Sequence, residues 1–244
     1  MKELIQWPKA KYWTAQWNPV IGCKPCSPAC ENCYAAAWAR RFGQSFEPHK
    51  SSQTRPPRKG VVFCGNMTDL FGEWRSSPEM VVDVRMPCKT QGAQYLWLTK
   101  RAHNLATTIR HLADCYSHPG YWYDNHYFGF TAENQEWYDR RAISCRNLPK
   151  WANLWISAEP LLGPLAIGSL LNNLRWVVVG CESGPNRRPC NIEWVESIVE
   201  QCLAANVPVF VKQLDIGGKC VTDINKFPEH LRIRQVPWAE GGAK

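Results

Sequence analysis

The chain has 244 residues, 45% of them hydrophobic and 20% charged, with Lys+Arg 29 against Asp+Glu 21 for a formal net charge of +8. That length holds one large domain or two small ones, and no apolar run approaches the roughly 18–20 residues of a membrane-crossing helix, so no membrane partner is expected. Met1-Lys2-Glu3 leads into polar and aromatic sequence without the apolar stretch of a secretory signal, which argues against a small disulfide-built secreted protein and for a cytoplasmic one.

In chain order, a strand is predicted over 17–21, then a loop with four cysteines in eleven residues, then a helix over 31–42. Residues 46–60 are rich in Pro, Ser and basic side chains and read as a mobile surface loop. Runs of β-branched and aromatic residues at 61–64, 95–99, 127–131, 154–157, 176–179 and 207–211 read as buried strands. Helices are predicted over 78–90, 103–115, 137–148 and 193–206, with only a short turn near 167–171 between two of the strands. A C-terminal extension runs from about 214 to 244, and its last residues, Gly241 to Lys244, are expected to fray.

Six or seven strand–helix alternations call for a parallel sheet with right-handed crossovers, in a single domain spanning 1–244. The strand runs are followed directly by Asn66, Thr68 and Asp69, by Lys100 and Arg101, and by Glu133, Glu159, Glu182 and Lys212. Polar groups delivered repeatedly to the C-terminal edge favour a partial (β/α)6-7 barrel with outer helices over an open sheet, because barrel active sites assemble there. Glu159, Glu182 and Lys212 are the candidates for substrate contact or proton transfer, with a salt bridge from either carboxylate to Lys212 as the structural alternative. Lys100, Arg101, Arg187 and Arg188 supply positive charge suited to phosphate or carboxylate. The 13 Trp, 8 Tyr and 8 Phe beside this basic charge fit a nucleic-acid substrate, since cations attract phosphate and rings stack on unpaired bases; core packing is the other account of them.

Cys23, Cys26, Cys30 and Cys33 crowd the loop between the first strand and the first helix. Zinc is one ligand for such thiols, but a structural zinc ribbon pairs two separated knuckles and a second is missing here. An iron–sulfur cluster fits better, because three thiolates leave one iron open to substrate. The spacing Cys26-x3-Cys30-x2-Cys33 is similar to that of radical S-adenosylmethionine (SAM) enzymes. The remaining eight cysteines are widely spaced and read mostly as small buried hydrophobes.

The segments 17–23 (WNPVIGC) and 27–35 (SPACENCYA), followed by GNMTDLF at 65–71, LTKR at 98–101, SAEPLLGP at 157–164, GCESG at 180–184 and FVKQ at 210–213, resemble a phage-associated family of three-cysteine proteins grouped with radical SAM enzymes. The resemblance covers about residues 13–237 and implies a radical SAM barrel with a 4Fe-4S cluster and SAM as cofactors. It maps the cluster ligands onto Cys23, Cys30 and Cys33 and leaves Cys26 as an extra thiol, whereas the usual superfamily spacing selects Cys26. It further implies that Asn66, Thr68 and Asp69 hold the methionine amino end of SAM and that Glu133 accepts hydrogen bonds from the ribose; helix capping by Asp69 is the structural alternative. The implied function is radical chemistry on a modified nucleobase, thymine in phage DNA, such as isomerisation of an amino-acid adduct. Electrons would come from an external donor such as flavodoxin or ferredoxin, in the cytoplasm of the host cell. Radical repair of a DNA lesion, or a non-catalytic metal-stabilised nucleic-acid-binding module, are the alternatives.

Overall fold

The computed structural model describes residues 5–89, 92–115 and 123–238. The strands are β1 (Ile5–Gln6), β2 (Ala15–Trp17), β3 (Val20–Ile21), β4 (His49–Lys50), β5 (Gly60–Cys64), β6 (Ala93–Thr99), β7 (His126–Thr131), β8 (Asn153–Ala158), β9 (Leu174–Gly180), β10 (Val209–Ile216), β11 (Lys219–Val221) and β12 (Gln235–Val236). The α-helices are α1 (Tyr34–Arg41), α2 (Ser77–Arg85), α3 (Ala102–Cys115), α4 (Gln135–Cys145) and α5 (Ile192–Ala204). The main sheet has eight strands in the order β2-β5-β6-β7-β8-β9-β10-β11. All neighbours from β2 to β10 pair in parallel, and only β11 returns antiparallel along β10. Spatial order follows chain order without a switch point, so right-handed crossovers carry the helices to one face and the sheet curls into a half-barrel.

Strand alternation separates the two faces. On the outer face, Val62 and Cys64 pack with Val84 of α2 and with Leu105 and Ile109 of α3, while Ile156, Val177 and Val209 pack with Tyr138 of α4 and Ile198 of α5. On the inner face, Val61, Phe63, Leu96, Tyr127, Trp155, Trp176, Val178 and Phe210 meet Tyr12, Val236 and Trp238 from the two ends of the chain. Tyr12 lies edge-on to Trp176 at 5.0 Å and to Phe210 at 5.4 Å, and Trp238 closes on Trp176 at 5.0 Å. Much of the aromatic excess is therefore barrel filling.

Gly129 of β7 sits on this inner face beside its partner Trp155. A Cβ there would lie 2.5 Å from the Trp155 ring nitrogen, which donates to the carbonyls of Tyr127 at 3.1 Å and Trp97 at 3.2 Å. Gly129→Ala is expected to destabilise the fold by about 1–3 kcal/mol through overpacking, read as a lower urea midpoint at unchanged slope.

Several elements differ from their predicted spans. The strand expected over 17–21 is divided between β2 in the main sheet and β3, which pairs with β4 instead; Pro19 between them has no N–H to continue a ladder. The first helix starts at Tyr34 because Cys33 is extended, and a 3-10 turn, Pro28–Cys30, takes up the residues before it. The helix predicted over 78–90 ends as α2 at Arg85, followed by a 3-10 turn, Met86–Lys89, that contains Pro87; Thr90 lies outside the described residues. Asn134 starts α4 two residues early by accepting from the Trp137 amide at 3.1 Å.

The basic segment 46–60, read as mobile, is tied to the barrel. Trp17 Nε1 donates to the Gln53 carbonyl at 3.0 Å, the Asn18 amide donates to Gln53 Oε1 at 2.7 Å, and Tyr95 Oη donates to the Pro57 carbonyl at 2.8 Å. The C-terminal extension returns β12 to pair with β1, while Gly241 to Lys244 lie outside the described residues. Cys64, Cys145, Cys181, Cys190 and Cys202 are buried as expected, Cys220 is half-buried and Cys115 exposed; the Cys88 side chain is outside the described set. Among the described residues, no helix is long and apolar enough to cross a membrane.

Candidate functional site

The cysteine loop leaves β3 through Gly22, whose φ of +91° is a glycine conformation and whose Cβ would meet the Glu47 carbonyl oxygen at 2.4 Å. Thr68 Oγ1 donates to the Gly22 carbonyl at 2.6 Å, the Gly22 amide to Met67 at 3.1 Å, and the Cys23 amide to Phe46 at 3.0 Å. Arg101 reaches the same loop from the end of β6, donating to the Lys24 carbonyl at 2.8 Å. Asn32 joins it to the opposite side of the barrel mouth, donating to Glu182 Oε2 at 2.9 Å and to the Asn186 carbonyl at 2.8 Å. Strand ends far apart in sequence thus hold the thiols over the barrel mouth.

Most of the edge charges are held by partners, and several of these also line a pocket. Asp69, 6% exposed, uses both carboxylate oxygens. Oδ1 accepts from the Phe71 amide and Thr99 Oγ1, while Oδ2 accepts from the Lys100 amide at 3.0 Å and Arg101 Nη1 at 3.2 Å. Arg101 also binds Glu73 and lies 4.7 Å from the centroid of the Trp74 ring. It is a buried pin rather than the solvent-facing cation that phosphate contact needs. Glu182 accepts from Arg188 and Asn32, and Arg188 also reaches Glu31 at 3.1 Å. Arg187 pairs with Asp215 at 2.8 Å and lines a separate pocket with Cys190, Lys226 and Phe227.

Glu133 is fully buried and paired with Arg141, which also donates to the carbonyls of Thr131 and Lys100. Burial alone would raise the Glu133 carboxyl, but the Arg141 guanidinium and a hydrogen bond from Ser27 of the cysteine loop hold it below its ordinary value of 4.5. The unfolded chain therefore binds the proton more readily. The stabilisation is complete above about pH 4.5 and disappears as pH falls through the lower folded-state value. Glu133→Gln is expected to remove that segment of the pH–stability curve and to lower stability at neutral pH, as read from urea midpoints between about pH 3 and 7.

The principal pocket opens at the C-terminal ends of the strands. Cys23, Cys30 and Cys33 line it, together with Asn66, Thr68, Asp69, Lys100, Arg101, Glu159, Glu182 and Lys212; Cys26 and Glu133 are not among its lining residues. Inside it Lys212 Nζ is paired with Glu159, and not with Glu182. The ammonium lies 5.6 Å from the centroid of the Trp13 ring and 6.0 Å from that of Tyr12. Tyr34 extends its hydroxyl to the Asn66 carbonyl, and Asn66 binds Asn18 and Gln16 through its side chain.

All four loop thiols are free and half-buried. A hydrogen bond from Cys26 stabilises the Cys30 thiolate and, with help from Lys100, pulls Cys30 down to about 4 against the burial that opposes it. Cys26, as the donor, is pushed up, and burial raises Cys23 to about 11. Among the described residues, no group of three or more His, Cys, Asp or Glu side chains converges closely enough to hold a metal ion.

The family model described as "Protein of unknown function (DUF5131)" matches residues 7–227. The chain belongs to this DUF5131 family. No curated protein matches it, and no solved structure matches it.

Sequence reasoning did not single out Tyr12, Trp13, Asn32 or Tyr34, which line the pocket, or Arg141, which pairs with Glu133 beside it. Tyr12 and Trp13 precede the first main-sheet strand and carry no motif. Asn32 and Tyr34 lay within the cysteine motif and were legible as its neighbours, but their partners, Glu182 and Asn66, lie 150 and 32 residues away.

Proposed function

We propose that this DUF5131 protein is a radical SAM enzyme with a barrel of that type, acting on a modified nucleobase, with thymine in phage DNA as the substrate class. The observation that carries the reading is the shared pocket: Cys23, Cys30 and Cys33 line the same cavity as the Glu159–Lys212 pair, at the catalytic edge of a parallel half-barrel. Three thiols, one already favoured as thiolate, suit a 4Fe-4S cluster with one iron left for SAM, and Cys26 then serves as hydrogen-bond donor to Cys30. Holding the cluster requires the 23–33 loop to draw its thiols together.

Held by Cys23, Cys30 and Cys33, a 4Fe-4S cluster with SAM would supply one-electron reductive cleavage of the sulfonium as the source of radical chemistry, with an external donor such as flavodoxin or ferredoxin providing the electron. The chain's own contribution is positioning and exclusion of side reactions. Asn66 Oδ1 accepts from Asn18 and its amide donates to Gln16, and the second lone pair of Oδ1 is left for the amino group at the methionine end of SAM. Thr68 and Asp69 act indirectly, by fixing the cysteine loop and Arg101. Glu133 is paired with Arg141 and interacts with Ser27 of the same loop, so its role is to orient that loop. Glu159 and Lys212 present opposite charges to the ammonium and carboxylate of an amino-acid adduct and exchange protons with it, while Lys100 adds positive charge. A base in duplex DNA has to be flipped out or unpaired to enter.

Anaerobic purification followed by reduction in the presence of SAM tests the reading. A brown, iron-containing protein that forms 5′-deoxyadenosine supports it, and a changed nucleoside in modified DNA establishes the substrate class. A colourless zinc protein that leaves SAM intact overturns it in favour of a binding module, and restored thymine as product would point to lesion repair.

A further inference from the structure

Among the described residues, the exposed large aromatics are Tyr34 at 57%, Trp38 at 47% and Phe42 at 57%, and all three belong to α1 or its C-cap. The spacing i, i+4, i+8 puts them within about 80° of arc on one face, each about 6 Å further along the axis. Trp38 and Phe42 are 4.8 Å apart between centroids, and the Arg41 guanidinium lies 5.9 Å from the centroid of Phe42. The other large rings among the described residues are buried or half-buried, so this stripe is an exception to their packing.

Its charge identifies the class of partner. The helix sequence YAAAWARR contains no carboxylate and ends in Arg40 and Arg41, and the chain continues into a segment with exposed Lys50, Arg55, Arg58 and Lys59. Exposed Glu47 and Glu31 flank the helix but are paired with Lys24 and Arg188, so flat rings with interleaved cations match a strand that offers unpaired bases and phosphates; an acidic protein would match the cations but leave the rings unexplained. The stripe also adjoins the pocket, because Tyr34 is both its first ring and a lining residue, while Trp38 and Phe42 lie outside the lining.

We infer that the Tyr34–Trp38–Phe42 face of α1 is a stacking platform for single-stranded nucleic acid, which grips the strand beside the pocket while one base enters it. The inference rests on the nucleic-acid part of the proposed function and is independent of its radical chemistry.

Fluorescence anisotropy of a labelled 15-nucleotide oligo(dT) with the full chain tests it, alongside a ribose oligo(U) of the same length. Trp38→Ala and Phe42→Ala are each expected to weaken binding about 5- to 100-fold. Removing Arg40 and Arg41 together as glutamines should weaken it and flatten its salt dependence. Ile143→Ala, at an exposed site on α4, should bind as the wild type does. Circular dichroism melts establish that the variants remain folded. Unchanged affinity in the Trp38 and Phe42 variants, no binding of either oligonucleotide, or a stripe whose loss only breaks self-association by light scattering would each overturn the platform. Stripe-dependent binding without SAM cleavage would leave the platform standing and remove the enzyme; SAM cleavage with stripe-independent binding would do the reverse.

Discussion

Cys30→Ala is expected to reduce iron content to background and abolish 5′-deoxyadenosine formation, as are Cys23→Ala and Cys33→Ala, while Cys26→Ala retains a cluster. The pocket separates these cysteines, since Cys26 alone of the four is absent from its lining. Iron retained in Cys23→Ala but lost in Cys26→Ala would exchange the two roles. A second readout needs no metal. Cys26 and Lys100 draw the Cys30 thiol down while burial pushes Cys23 up, so in the iron-free protein Cys30 is expected to be the more readily ionised thiol at pH 6. Iodoacetamide at pH 6 should therefore alkylate Cys30 ahead of Cys23, as mapped by peptide mass spectrometry. Cys26→Ala removes the hydrogen bond that favours the thiolate and should shift Cys30 labelling to higher pH. Equal labelling of Cys23 and Cys30 at pH 6 would show that the Cys26–Cys30 bond does not form.

Arg101→Ala should be the most destabilising change at the barrel mouth, by about 3–5 kcal/mol in urea denaturation, because it leaves the buried Asp69 carboxylate without its counter-ion. The guanidinium also joins Glu73, the Lys24 carbonyl and the face of Trp74, so its loss frees the cysteine loop from the end of β6. Arg101→Lys keeps the charge but offers one ammonium in place of a planar fork, and should recover only part of the loss. A cost below about 1 kcal/mol for Arg101→Ala would mean that Asp69 is stabilised by its amide and Thr99 donors alone.

The alanine series and the arginine variants probe different levels of one arrangement. Cysteine changes act on chemistry at the loop, whereas Arg101 acts on the position of that loop. A variant that loses cluster while keeping its urea midpoint belongs to the first class, and one that loses both belongs to the second.

Chain order, strand spacing and the loop of four cysteines are legible in the sequence because each depends on short-range pattern: apolar runs of strand length, amphipathic intervals, and thiols close in number. The same patterns place Asp69, Glu133, Glu159, Glu182 and Lys212 at one edge. Which of those charges work together was decided only by tertiary structure. Glu159 and Glu182 are equivalent in sequence, both just beyond an apolar strand, yet Glu159 meets Lys212 inside the pocket while Glu182 is held by Arg188 and by Asn32 from across the mouth. The aromatic count divides in the same way. Trp155 and Trp176 fill the barrel and Trp38 faces solvent, a difference set by the curl of the sheet and the placement of α1 rather than by residue type. Local pattern determines which elements form and which residues reach the edge, while pairing and exposure depend on distances between segments up to 228 residues or more apart, which pattern does not encode.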